Sequence, residues 1–374
     1  MHRIAVILGW CLFSCFVNAL AREPGEPLRE PADQVVSSGD RELVPHRLKA
    51  LLHAPEVHEE LGLSGEQVAN LEAWFDEVDG PWFRARIQPL PKQWAELDRL
   101  EALTRQWMSR QFTASQRQRM QQLEWQSLGS RMLLRKDFAK ALALTPDQQK
   151  QFAEIARATE QAQKTAQAAG GSSPAPSGES LANAIQAERE GVQRILNPEQ
   201  QRRFAQVVGK SFPTEKLKRI YPMAPELEPT DDWINSKPLT LKSLRGKVVL
   251  LHFYAFQCHN CHANFNIYKR WHESLRERGV VVLGIQTPET SLERDANAVR
   301  KAAKEKQLAF PILIDLQSEN WKAWGNTMWP TVYVIDKRGY IRHWWQGELN
   351  WQGATGDQTI EQIVESALAE PDPS

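Results

Sequence analysis

Cys258-His259-Asn260-Cys261-His262 holds two thiols separated by two residues, with a histidine directly after the second. That spacing suits three chemistries. Two thiols about one helical turn apart can cycle between dithiol and disulfide. The same letters, Cys-x-x-Cys-His, form an attachment site for a c-type haem, with His262 as proximal ligand. Cys258, Cys261, His259 and His262 are also metal-ligand types, although adjacent residues tend to diverge. A structural staple is a poor use of the pair. A bridge across so few residues closes a very small loop, and the entropy it removes from the unfolded chain grows with loop length.

The elements that must position the pair favour the redox chemistry. Before it, "GKVVLLHFYAF" is a near-continuous apolar run after a Gly-Lys turn, the pattern of a strand buried on both faces. After it, "NFNIYKRWHESLRERG" sets Ile267, Trp271 and Leu275 on one helical face beside Tyr268, with Gly279 as the stop. The pair therefore leaves a strand and opens a helix. A cysteine at a helix N-terminus meets unpaired amides and the positive end of the dipole, and both favour thiolate. Cys258, exposed at the turn, is then the attacking nucleophile. Cys261, shielded in the first helical turn, is the resolving thiol. A haem would need an exposed segment and a distal axial ligand, whereas this motif emerges straight from a strand.

Two further histidines lie close by. His252 interrupts the apolar strand, so it is buried and needs a polar partner. It either accepts the Cys261 proton during resolution or bonds a nearby backbone group. His259 either stabilises the Cys258 thiolate while charged or stands inert on a solvent-facing turn.

Downstream, "VVVLGIQT" reads as a second buried strand, "SLERDANAVRKAAKEKQ" as a charged amphipathic helix and "FPILID" as a third strand. "TVYVID", "KRG" and "YIRHWWQG" read as a hairpin, and "QTIEQIVESALA" as a closing helix. A βαβ unit followed by a hairpin and a helix implies an α/β fold, a central mixed sheet covered on both faces.

The stretch from "APELEPTDDWINSKPLTLKSLRGKVVLLHFYAFQCHNCHANF" to "FPILIDLQSENWKAWGNTMWPTVYVIDKRGYIRHWWQGE" resembles extracytoplasmic thioredoxin-like redoxins of the TlpA/ResA type. Its second part is particularly similar to the C-terminal redoxin module of DipZ-like proteins. The resemblance implies a thioredoxin-like fold over 222–374 and thiol-disulfide exchange with protein thiols and disulfides. It also implies a redox partner protein in the same compartment and no cofactor or metal. It makes Pro330 a cis-proline opposite the disulfide and sets Trp329 against the active site; Trp324, Trp344 and Trp345 are further candidates to line the groove. There are departures. Gln257 stands where a tryptophan usually precedes the first cysteine. His259 and Asn260 replace Gly-Pro or Pro-x, and His252 holds a position where many relatives carry a buried acid. Ala255 replaces the threonine that peroxiredoxins place three residues before their reactive cysteine.

The first half of the chain has another texture. Residues 46–212 read helical, rich in Gln, Glu, Arg, Leu and Ala. "AAGGSSPAPSGES", 168–180, reads as a flexible linker between two of the helices. An internal repeat runs through this region: "LSGEQ" from Leu63, "FTASQ" from Phe112, "LTPDQ" from Leu144 and "LNPEQ" from Leu196. Each has an N-cap residue (Ser64, Thr113, Thr145 or Asn197) and a glutamine three positions on (Gln67, Gln116, Gln148 or Gln200). That is the capping-box spacing. Pro146 and Pro198 occupy first helical positions, where a missing N–H costs nothing. "LLHAPEVHEELGLSGEQ" and "MLLRKDFAKALALTPDQ" align without gaps. The repeats resemble the Leu-Thr-x-x-Gln motifs of the Spy/CpxP group of periplasmic proteins. The region is then either a helical scaffold or a chaperone-like cradle for unfolded clients, and Trp74, Trp82, Trp94, Trp107 and Trp125 serve as core or as client-facing surface.

The N-terminus reads as a processing signal: basic "MHR", the apolar run "IAVILGWCLFSCFVNAL", and "ALA" as an A-x-A-like site with cleavage after Ala21. Cys11 and Cys15 leave with it, so the exported chain keeps Cys258 and Cys261. The run is slightly short of the about 20 apolar residues of a membrane span. A membrane tether follows only if the segment stays uncleaved. Residues 22–45 read as a disordered lead-in. The 374 residues exceed one small domain, and the formal net charge of zero argues against a nucleic-acid binder.

Overall fold

The computed structural model describes residues 38–168, 176–214, 217 and 220–372. The signal segment, Cys11 and Cys15, the lead-in up to 37 and linker residues 169–175 lie outside the described residues.

The second half forms a six-stranded mixed sheet in the order β1-β4-β3-β2-β5-β6. The strands are β1 (Trp233–Ile234), β2 (Val248–Tyr254), β3 (Val280–Gln286), β4 (Ile312–Ile314), β5 (Thr331–Ile335) and β6 (Ile341–Gln346). β2, the apolar run before the cysteines, is central and buried at every position. It pairs parallel with β3 and antiparallel with β5. The crossover between β2 and β3 is the helix that carries the cysteines, as a parallel pair requires. This is a thioredoxin-like fold.

Alternation along β2 divides the core. Val248, Leu250 and Tyr254 face one layer with Cys258, Cys261, Tyr268 and Trp271; Val249, Leu251 and Phe253 face the other with Trp324 and Tyr333. One residue of the helical half, Phe83, sits in that second layer. The bare face of the sheet is thus closed in part by the chain's own N-terminal helices.

Those helices are α1 (Leu48–Leu52), α2 (Pro55–Leu61), α3 (Gly65–Ala85), α4 (Leu90–Gln111), α5 (Ala114–Leu128), α6 (Lys136–Leu142), α7 (Pro146–Ala168), α8 (Pro176–Ile195) and α9 (Pro198–Val208). All four repeats form reciprocal capping boxes. Their glutamines do more than cap. Gln67 and Gln116 exchange amide bonds of 3.0 and 3.1 Å. Gln148 and Gln200 do the same at 2.8 and 3.1 Å. Each glutamine also donates to a carbonyl of the partner segment: Gln111, Gly62, Ile195 and Ala143. Repeats one and two therefore interlock, as do three and four. Each neutral bond contributes about 0.5–1.5 kcal/mol net.

Three sequence expectations change here. Ser38–Leu43 is a 3-10 turn, and Leu43 and Val44 are buried in the helical core, so the lead-in is ordered from 38. The two apolar side chains anchor it, together with Arg131, which donates to Leu43 O, and the Arg157–Asp40 and Lys164–Glu42 pairs. α8 begins at Pro176, inside the stretch read as linker. The charged helix after β3 starts only at Ala296, capped by Asp295; Leu292–Arg294 is a separate 3-10 turn. The tryptophans of the helical half face inward or lie half-buried: Trp107 and Trp125 are core, and Trp74 stacks on Trp107 at 5.9 Å.

Contacts between the halves include Glu72 with Arg338, Asp76 with Arg245, and hydrogen bonds of three further residues of α3 and its end. Asp79 of α3 accepts the Met223 amide at 2.7 Å, Arg84 donates to Ala323 O at 3.0 Å, and Arg86 donates to Trp324 O and Gly325 O. The last two place the end of α3 against the loop that leads to Pro330. Among the described residues no helix is long and apolar enough to cross a membrane.

Candidate active site

β2 ends at Tyr254, and the Cys258 amide closes a turn onto Ala255 O at 3.3 Å. α10 (His259–Leu275) follows directly, with Cys258 as its N-cap. No side chain caps that end, so its first amides stay available to a sulfur. The Cys261 and His262 amides reach Cys258 O at 3.1 and 3.3 Å. His262 Nε2–H donates to Phe256 O at 2.6 Å, which fixes the turn from the helix side.

Both cysteines are free thiols. Cys258 keeps 8 % of its surface and Cys261 none, so an incoming sulfur can reach only the first. Cys258 is less open than the sequence suggests, because Phe256 and Trp329 pack against the same cluster. The two thiols differ electrostatically. A hydrogen bond from Cys261 holds Cys258 below the usual thiol range; burial opposes this, and the Cys261 and Asn260 amides add to it. Burial pushes Cys261 far up, reinforced by its bond to Cys258 and by the charge of Glu289. One sulfur is thus poised as thiolate and the other as its proton-bearing neighbour.

The Trp329–Pro330 bond is cis. Pro330 precedes Thr331, which pairs with Phe253 near the end of β2, where the chain turns toward Cys258. A short relay ties the two sides: the Gly347 amide donates to Pro330 O at 2.8 Å, and Asn264 of α10 donates to Gly347 O at 3.2 Å. Gly347 has φ 89°, which a side chain would strain. Asn264 also accepts the Leu349 amide at 3.0 Å. Trp329 stacks on Trp321 with centroids 3.9 Å apart.

The remaining candidates separate. His252 is fully buried, yet neither ring nitrogen has a hydrogen-bond partner among the described residues, contrary to the expectation above. Its ring stacks on Tyr268 at 4.0 Å and meets Phe310 edge-on at 5.1 Å. Burial drives it down to about 3. It is a neutral aromatic filler beneath the sulfurs. Gly284 permits this packing, since a Cβ there would lie 3.1 to 3.3 Å from Phe310, Tyr254 and His252. His259 is exposed on the first helical residue. Trp324 is fully buried between Phe253 and Tyr333 and does not line a groove. Trp345 packs on the cysteine cluster, and Trp344 is 38 % exposed. Among the described residues no three His, Cys, Asp or Glu side chains are grouped to hold a metal.

Comparison with known proteins sharpens the reading. A family model described as the AhpC/TSA family matches residues 209–344. Protein DipZ of Mycobacterium bovis is 35 % identical over 147 residues, 38 % of this chain and 21 % of DipZ. The thiol-disulfide oxidoreductase ResA of Bacillus thuringiensis subsp. konkukian is 30 % identical over 154 residues, 41 % of this chain and 80 % of ResA. The chain belongs to the redoxin family of thiol-disulfide oxidoreductases. The match to the redoxin family model starts at 209, immediately after α9, and the chain spans about a fifth of the length of the DipZ relatives. Among solved structures, a thiol-disulfide isomerase from Corynebacterium glutamicum is 24 % identical, covering 40 % of this chain and 98 % of that one, with a TM-score of 0.34.

Sequence reading missed two residues that organise this redoxin site. Asn264 lacks a signal, because a buried polar residue in a helix is ordinary until its partners are known. Glu293, whose carboxylate accepts the amide of Gln257 beside Cys258, lay in the stretch read as a charged helix face, where a glutamate attracts no attention.

Proposed function

We propose that this redoxin is an extracytoplasmic thiol-disulfide oxidoreductase acting on protein thiols and disulfides. The observation that carries the reading is the asymmetry of the pair: a reachable sulfur held toward thiolate and a buried sulfur held as thiol. In the reducing direction the Cys258 thiolate attacks one sulfur of a substrate disulfide. The other substrate sulfur leaves as thiolate and takes a proton. Cys261 then loses its proton and attacks Cys258 Sγ, expelling the second substrate thiolate. The Cys258–Cys261 bond forms, and two electrons have passed to the substrate. The oxidising direction runs the same bonds in reverse. A redox partner protein in the same compartment resets the pair.

Trp329 and Pro330 wall the substrate side of Cys258. His252 acts by shape alone, since an imidazole titrating near 3 is a poor acceptor for a proton from Cys261. His259 stands at the open edge of the turn, beside any bound peptide. The apolar leader and its A-x-A site support an extracytoplasmic location. The burial of Trp107 and Trp125 in the helical core favours a supporting role over a client-holding cradle.

Cys261→Ala removes the resolving sulfur and leaves the attacking one. Expressed in its own compartment, this variant is expected to accumulate mixed disulfides through Cys258, seen as reductant-sensitive bands on non-reducing gels. Absence of such adducts, with the variant folded and present, would argue against protein substrates.

A further inference from the structure

Glu293 is fully buried, and its carboxylate gathers three backbone amides. Oε1 accepts the Gln257 amide at 2.8 Å; Oε2 accepts the Glu289 and Thr290 amides, each at 2.8 Å. Gln257 is the residue before Cys258. Glu289 and Thr290 belong to the loop between β3 and the Leu292–Arg294 turn. The Thr290 hydroxyl closes the same junction on the Gln257 side chain. A buried carboxylate is costly unless its oxygens are satisfied, and three amides achieve that here.

We propose that Glu293 is a positioning residue: it bolts the 287–295 loop to the turn before Cys258, fixing the attacking sulfur and the Glu289 carboxylate in one arrangement. The weight of this tether in catalysis rests on the exchange reaction proposed above; the tether itself does not. Glu289 is exposed, and its charge raises both thiols. It therefore opposes Cys261 and the helix amides in setting how readily Cys258 ionises. The ionisable groups around Cys258 are Cys261, His259 and His262 of α10, and Glu289 and Glu293 of the loop. His262 is committed to Phe256 O.

The test is a coupling measurement on the full chain carrying Cys261→Ala, with Cys258 ionisation followed by ultraviolet thiolate absorbance against pH. Glu289→Gln is expected to lower the Cys258 midpoint by about half a unit, the size of one surface charge interaction. In a Glu293→Ala background the same substitution is expected to move it by less than half as much, because the loop no longer holds residue 289 in place. An equal shift in both backgrounds, or no shift in either, overturns the proposal. If Glu293→Ala does not fold, Glu293→Gln serves: it keeps one accepting oxygen, loses one arm, and is expected to weaken the shift; a full shift overturns the tether. A residue with a merely structural role would lower the melting temperature and leave the coupling intact. If the wild type reduces no insulin disulfides while the coupling is present, the tether stands and the exchange reading falls.

Discussion

Cys258→Ser is expected to reduce disulfide exchange at least about a thousandfold while leaving the fold as stable as before, or more so. The loss follows from the nucleophile. A serine hydroxyl does not ionise near neutral pH, and Cys261 cannot substitute because it is fully buried and burial pushes its thiol far up. The gain follows from position. Cys258 is the N-cap of α10, and its side chain makes no capping bond. Serine is a preferred N-cap residue, worth about 0.5–2 kcal/mol over a non-capping one. Insulin reduction and thermal unfolding, measured on one preparation, separate the two effects. Loss of activity together with a lower melting temperature would mean that Cys258 is structural.

Asp79→Ala carries the second large effect, and it reports on how the halves are joined. Asp79 is fully buried in α3. It meets Lys49 Nζ at 2.5 Å, His53 Nε2 at 2.7 Å and the Met223 amide at 2.7 Å. Removing it leaves a lysine and a backbone amide buried without their anion. Breaking a buried pair in this way costs about 3–5 kcal/mol. Urea unfolding should therefore shift to a lower midpoint. Burial by itself would raise the Asp79 carboxyl, but His53 and Lys49 outweigh it and hold the group below its ordinary range. Its contribution is thus present above the unfolded carboxyl value and is lost as pH falls below about 4. The variant should be less sensitive to acid over that window. A change under about 1 kcal/mol would show that Asp79 does little to join the halves, leaving the Arg84 and Arg86 bonds and the apolar contacts to hold them.

Much of this was legible in the sequence, for local reasons. An unbroken apolar run has one stable home, the middle of a covered sheet, and β2 occupies it. The four capping boxes are read at fixed spacing because a cap and its glutamine lie three residues apart in any helix. The placement of Cys258 at the turn and of Cys261 shielded in the first helical turn required only the order strand, turn, helix. The unread parts depend on distant neighbours. No local pattern says that Phe83 of α3 completes the second sheet layer, or that Gln67 will find Gln116. His252 was expected to find a polar partner, because an isolated imidazole in an apolar strand is costly; three aromatic side chains, Tyr254 of β2, Tyr268 of α10 and Phe310 just before β4, provide a different solution. Glu293 was hidden by a helix boundary. Asp295 starts the helix Ala296–Glu305 later than the charge pattern implies, and the glutamate ahead of it turns inward to three amides.

The central claim is that Cys258 and Cys261 form a reversible redox couple. It is tested most directly by equilibrating the full chain in graded ratios of reduced to oxidised glutathione, quenching by alkylation, and weighing the peptide 248–269. The account predicts two alkylated sulfurs at one extreme, an internally bridged peptide lighter by two hydrogens at the other, and full reversal on returning to the first ratio. Two alkylated sulfurs at every ratio, or glutathione adducts that never resolve to the bridge, would contradict it.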